Sequence, residues 1–158
     1  MATYTLTKND PSNTVLTDLD GNIAYKISTP SKVSNETTTI TRADDLDVVA
    51  VIHWKTIEKN EITMNGITRK INDVFPHSSK WRTSRLITTG DGEVFKWKYT
   101  SKLYCMSQST GLNVATYYHI LFADRRSNKS TIYIIPNAVQ HSDILVVSWM
   151  VMERELRE

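Results

Sequence analysis

Nine residues near the C-terminus, Ile144-Leu145-Val146-Val147-Ser148-Trp149-Met150-Val151-Met152, present no polar face that could rest against water. A segment that is apolar all round must be buried all round. At this length it is not a membrane span, which needs roughly twenty such residues. His141-Ser142-Asp143 precedes it with capping side chains, and Glu153-Arg154-Glu155-Leu156-Arg157-Glu158 follows it with good helix formers. Val146, Val147 and Val151 suit a strand equally well, so the run by itself leaves helix and strand open. If it is a helix, the interior of a β-barrel is the natural place for it.

The rest of the chain reads as material for such a shell. Short runs rich in Thr, Val, Ile and Tyr are separated by Gly, Asn, Asp, Ser or Pro, and they predict twelve strands. These cover 3–7, 14–17, 23–28, 37–42, 48–54, 61–64, 67–72, 85–89, 93–99, 103–107, 112–120 and 129–135. Asp20-Gly21, Asn65-Gly66 and Asp91-Gly92 each suit a tight hairpin that needs positive φ. No amphipathic helix intervenes, which argues against βαβ units and a parallel sheet. In the 93–99 run Phe95, Trp97 and Tyr99 share one face and Val94, Lys96 and Lys98 the other, whereas 48–54 is apolar at nearly every position, as for a strand covered on both sides. With 158 residues, no linker-like break in composition and no repeat, a single domain spanning 1–158 is expected.

Composition excludes several classes. An apolar content of 40% is too high for disorder, and five glycines and four prolines are too few for a fibrous chain. The net charge of +2 does not point to nucleic acid. One cysteine forms no internal disulfide, and no basic region followed by an apolar stretch opens the chain, so a cytoplasmic protein is expected. Asn35-Glu36-Thr37 and Asn128-Lys129-Ser130 fit the N-glycosylation pattern, which leaves a secreted protein as the alternative.

Taken together, the short antiparallel strands and the closing apolar segment behind an acidic cap resemble the tubby-like fold. That fold is shared by tubby C-terminal domains, plant LURP-one-related proteins and phospholipid scramblases. The chain is most similar to a single-domain mushroom family of unassigned activity grouped with that fold. The residues that carry the resemblance are Ser79-Lys80-Trp81-Arg82, Val94-Phe95-Lys96-Trp97-Lys98, Asp143-Ile144-Leu145-Val146-Val147 and Met152-Glu153-Arg154-Glu155-Leu156-Arg157-Glu158. The resemblance implies an all-β fold with one helix. Its form would be a closed antiparallel barrel of about twelve strands, from about 3 to 135, around a hydrophobic C-terminal helix at about 142–156. A fold of this kind fixes no activity.

Catalytic chemistry finds no support. His53, His77, His119 and His141 show no zinc spacing, no cofactor motif is present, and His53 and His119 fall in predicted strands as structural residues. Cys105 lies among apolar neighbours, where a thiol acts as a small hydrophobe. Asp18-Leu19-Asp20-Gly21 lacks the ligands of a calcium loop and reads as a hairpin turn.

The stretch with most chemical content is basic and aromatic. Lys80, Arg82, Arg85, Lys96, Lys98 and Lys102 fall in it with Trp81, Phe95, Trp97 and Tyr99. Outward lysines two positions apart on a strand lie about 7 Å from one another. A patch of these six cations would suit phosphoinositide headgroups or an anionic membrane surface. A solvated outer face is the competing reading. The aromatics point away from the lysines, which weakens a nucleic-acid reading. The expected function is therefore a non-enzymatic binding module without cofactor or metal. The alternative is an interaction protein, a non-catalytic small subunit stabilising a larger partner such as a secreted fungal laccase.

Overall fold

The computed structural model describes residues 2–31, 33–43, 46–79, 83–121 and 129–157. Twelve strands form one antiparallel sheet: β1 (Ala2–Leu6), β2 (Thr14–Thr17), β3 (Ile23–Ser28), β4 (Thr37–Arg42), β5 (Val48–His53), β6 (Glu61–Met64), β7 (Ile67–Lys70), β8 (Arg85–Thr88), β9 (Val94–Tyr99), β10 (Leu103–Ser107), β11 (Asn113–Tyr118) and β12 (Thr131–Ile134). The spatial order is β7-β6-β5-β4-β3-β2-β1-β12-β11-β10-β9-β8. A single helical turn, α1 (Ile71–Val74), follows β7. A 3-10 turn, Pro136–His141, then leads into the long C-terminal helix α2 (Ser142–Arg157).

Helix α2 resolves the ambiguity of the apolar run, and the sheet curls around it. Every residue from Leu145 to Glu153 is buried. Strands far apart in the order reach the helix: Tyr25 of β3 donates to Asp143 Oδ1 at 2.6 Å, Trp97 of β9 donates to Ser148 Oγ at 2.8 Å, and Tyr117 of β11 packs on Trp149 with ring centroids 5.2 Å apart. Register shifts after Leu16, Ile40 and Cys105 insert bulges, which bend strands and sharpen local twist. The Asn65-Gly66 hairpin has φ of 53° and 75°, the pair of positive values that a two-residue turn between twisted strands requires.

Closure by hydrogen bonds is not complete. β7 and β8 are the two end strands of the order, with no ladder between them among the described residues. Described residues of the chain between them, from α1 to Ser78, pack beside β8. The expected strand 67–72 stops at Lys70 because Ile71 and Phe75 turn inward, to 3% and 0% exposure, across α1. Beyond it Leu86 N–H donates to Pro76 O at 2.8 Å and His77 bridges to Arg85.

The expectation for 48–54 is also corrected. Ala50, Ile52 and Trp54 are buried, while Val49 and Val51 are only half-buried and Val48 is exposed. This strand is covered on one side alone. Its outer face is a β-branched row in which Val51 lies between Thr39 and Thr63, a cross-strand packing that tolerates valine without a second layer.

Two buried tryptophans differ in one respect that can be measured. Trp97 Nε1–H has Ser148 Oγ as acceptor, whereas the buried Trp149 Nε1 has no hydrogen-bond partner. Trp97→Phe and Trp149→Phe remove similar volume, but only the first breaks a hydrogen bond. In chemical denaturation Trp97→Phe is expected to cost about 1 kcal/mol more than Trp149→Phe; equal losses would show that the bond to Ser148 contributes nothing.

Candidate functional site

The basic stretch divides once its residues are placed. Lys96 and Lys98 point outward from β9: Lys96 sits between Leu86 and Met106, and Lys98 beside Tyr104. Both are half-buried, their stems lying along these neighbours, and Lys102 is exposed in the hairpin between β9 and β10. None of the three has an ion-pair partner among the described residues.

Arg85 does not join them. In register it opposes Trp97, so it faces inward and is 4% exposed. Its guanidinium donates to Asn72 Oδ1 at 3.0 Å, Phe75 O at 2.6 Å and Glu155 Oε2 at 2.8 Å. This is a clamp between β8, the chain around α1 and the last turns of α2. Lys80, Arg82 and Trp81 lie outside the described residues, as does Asn128. Asn35 is exposed with φ of 54° just before β4, and its Oδ1 accepts from Thr56 N–H at 3.4 Å.

Around the C-terminal end of α2 the polar groups converge. A cavity of about 460 Å³ is bordered by Tyr99, Lys102, Tyr117, His119, Leu121 and Arg157. Arg157 Nη2 lies 2.6 Å from His119 Nδ1, and Arg157 Nε donates to Glu153 Oε2 at 2.8 Å. Burial and the neighbouring guanidinium push the His119 pKa down, which keeps the ring neutral and able to accept. Burial, reinforced by Glu153, raises the Tyr117 phenol to about 12. The rim of this cavity is amphipathic. Tyr99 is 53% exposed, Tyr118 45% and Leu121 66%, and the Lys102 ammonium stands 5.1 Å from the centre of the Tyr118 ring.

At the opposite end of α2, Asp143 takes both the Tyr25 hydroxyl and the Arg42 guanidinium, placing a carboxylate in the first helical turn where the helix dipole favours it. Close by, the turn between β8 and β9 brings Asp91 and Glu93 against His141. Sequence reasoning missed this group because its donors come from two segments far apart in the chain, the β8–β9 turn and the entry of α2. Cys105 is fully buried between Trp97 and Ala115 in register, and burial pushes its thiol pKa well up, as suits a packing role. His53 ends β5 and is half-buried.

A family model matches residues 9–158 of the chain. The chain belongs to DUF6593, a family of unknown function. No curated protein sequence matches it. Among solved structures, this DUF6593 chain is similar to the X-ray structure of a protein from Arabidopsis thaliana, with a TM-score of 0.50 and 13% identity over 92% of this chain and 88% of that one. At that identity the likeness is one of fold alone. No helix among the described residues is long and apolar enough to cross a membrane.

Glu153 is the titrating group with a clear energetic sign. It is buried, and desolvation raises its pKa despite the pairing with Arg157. The native state therefore holds its proton more tightly than the unfolded chain does. The resulting stabilisation is full below the ordinary glutamate range and is lost as pH rises through the raised value. Glu153→Gln keeps an acceptor for Arg157 and removes the buried charge. Its Tm is expected to lie above that of the wild type at neutral pH, with the gap closing in acid; a constant gap across pH would contradict the assignment.

Proposed function

We propose that the chain is a tubby-like, non-enzymatic binding module that docks on anionic membrane surfaces through the rim at the C-terminal end of α2. The observation that carries this reading is the rim itself, where Lys102, with no ion-pair partner among the described residues, stands with exposed Tyr99 and Leu121 and over the ring of exposed Tyr118. Tyrosine and leucine side chains suit the boundary between headgroups and acyl chains, while lysines suit the anionic layer above it. Lys96 extends the basic face along β9. The tubby-like assignment is supported by the enclosed α2 and the twelve-stranded antiparallel order. With α2 occupying the interior, binding falls to the outer surface.

Co-sedimentation with vesicles tests this reading. Binding is expected to phosphatidylcholine vesicles that also contain phosphatidylserine or a phosphoinositide, and to weaken with salt as exposed charges are screened. At about 1 kcal/mol per basic residue, Lys96→Ala, Lys98→Ala and Lys102→Ala combined should weaken partitioning by on the order of 100-fold. Equal partitioning to vesicles of phosphatidylcholine alone would refute the proposal.

A second reading, an interaction subunit, draws on β7. This strand ends the sheet and all four of its residues are exposed, so its outer face is open to a partner protein. In a mushroom setting that partner would be a secreted oxidase such as a laccase, and the natively isolated chain would then carry glycan mass at Asn35 or Asn128. An unmodified mass, with no co-purifying oxidase, would remove this reading in favour of a cytoplasmic binding module.

A further inference from the structure

We propose that Asp91, Glu93 and His141 form a binding site for a divalent transition metal, best suited to Zn²⁺. The site would tie the β8–β9 turn to the entry of α2. One donor atom from each of the three side chains lies within 4.8 Å of the other two. His141 Nε2 stands 3.5 Å from Asp91 Oδ2. Zinc–ligand bonds of about 2.1 Å at the tetrahedral angle separate neighbouring donors by about 3.4 Å. The pair is therefore spaced as two ligands of one ion, and is longer than an ordinary hydrogen bond.

The imidazole supplies an independent sign of a ligand. Its side chain is only 11% exposed, and Nε2 is buried with no hydrogen-bond partner. A buried ring nitrogen left unpaired is costly, and a metal ion in front of it removes that cost. Phe95 packs edge-on against the ring at 5.7 Å between centroids, fixing its plane so that Nε2 faces the two carboxylates.

The carboxylates are held in turn by neighbours that leave donor capacity toward His141. Asp91 Oδ1 accepts from the Thr89 hydroxyl and from Glu93 N–H at 3.2 Å, which leaves Oδ2 for the ion. Glu93 Oε1 accepts from Ser107 Oγ at 3.2 Å. Gly92, with φ of 86°, closes the turn and lets both acids point the same way. Outer partners of this kind orient ligands in metal sites generally. One nitrogen and two carboxylate oxygens favour zinc over the all-oxygen preference of calcium or magnesium, and they leave a fourth position for water.

The test uses the untagged full chain after removal of metals with a chelator. Zinc titration by calorimetry should show one equivalent bound at micromolar free metal, and a rise in Tm of a few degrees with zinc but not with magnesium or calcium. Cobalt should give the visible absorption of a low-symmetry site. Asp91→Asn and Glu93→Gln lie on the turn and leave the core untouched. Each should weaken zinc binding by at least about tenfold, and His141→Gln should abolish it. No binding by the wild type would overturn the proposal and assign the cluster to an imidazolium–carboxylate pair. Binding unchanged in Asp91→Asn and Glu93→Gln would also overturn it, placing the ion elsewhere, as would a response to calcium alone.

Discussion

Burial of α2 is the constraint on which the remaining structure depends. A helix with no polar face contributes to stability only if apolar surface meets it from every side, and a flat sheet covers only one. The sheet must therefore curl until strands distant in its order touch the same helix. Tyr25, Trp97 and Tyr117 come from three such strands and all reach α2. Ser148 is the one hydroxyl side chain between Leu145 and Met152. It donates to Ile144 O at 2.6 Å and accepts from Trp97, so it introduces no unpaired hydroxyl. Polar clasps occur where the helix emerges. Tyr25 and Arg42 hold Asp143 at its start. Arg85 on Glu155, and Arg154 stacked 4.2 Å over Trp54, hold its end.

Strand and helix positions were largely legible in the sequence because both follow from local patterns. Ile23–Ser28, Thr37–Arg42 and Leu103–Ser107 alternate with turn residues at their ends, and the five helix-forming residues after Met152 carry α2 to Arg157. Properties set by cross-strand register were not legible. Arg85 begins a strand in either reading, but only its pairing with Trp97 decides that it faces inward and ends at Glu155. The same holds for the half-buried outer valines of β5, which Thr39 and Thr63 shelter from neighbouring strands. The Asp91, Glu93 and His141 cluster is a meeting of two chain segments, and no spacing rule within either one announces it.

Charge is sorted by position as well as by sign. Arg42, Arg85, Arg154 and Arg157 are each held by a carboxylate, and each ties part of the shell to α2 or braces the helix itself. A planar guanidinium with several donors suits such fixed, partly buried geometry. Lys96, Lys98 and Lys102, by contrast, are left outside as flexible point charges. A basic stretch that looks uniform in sequence is thus divided among its described residues: Arg85 closes the fold, and Lys96, Lys98 and Lys102 have no carboxylate partner.

This sorting also separates the two ends of α2. At the C-terminal end exposed tyrosine rings, Leu121 and Lys102 come together, an arrangement suited to a broad surface with an anionic layer. At the N-terminal end the groups are carboxylates and an imidazole held by short, directional contacts, an arrangement suited to a single compact cation. The two chemistries cannot exchange places. The carboxylates would repel an anionic surface, and the lysines would repel a metal ion. Because α2 is enclosed from Leu145 to Glu153, a ligand at either end would meet elements already fixed by the core, so neither proposed site requires a hinge within the sheet.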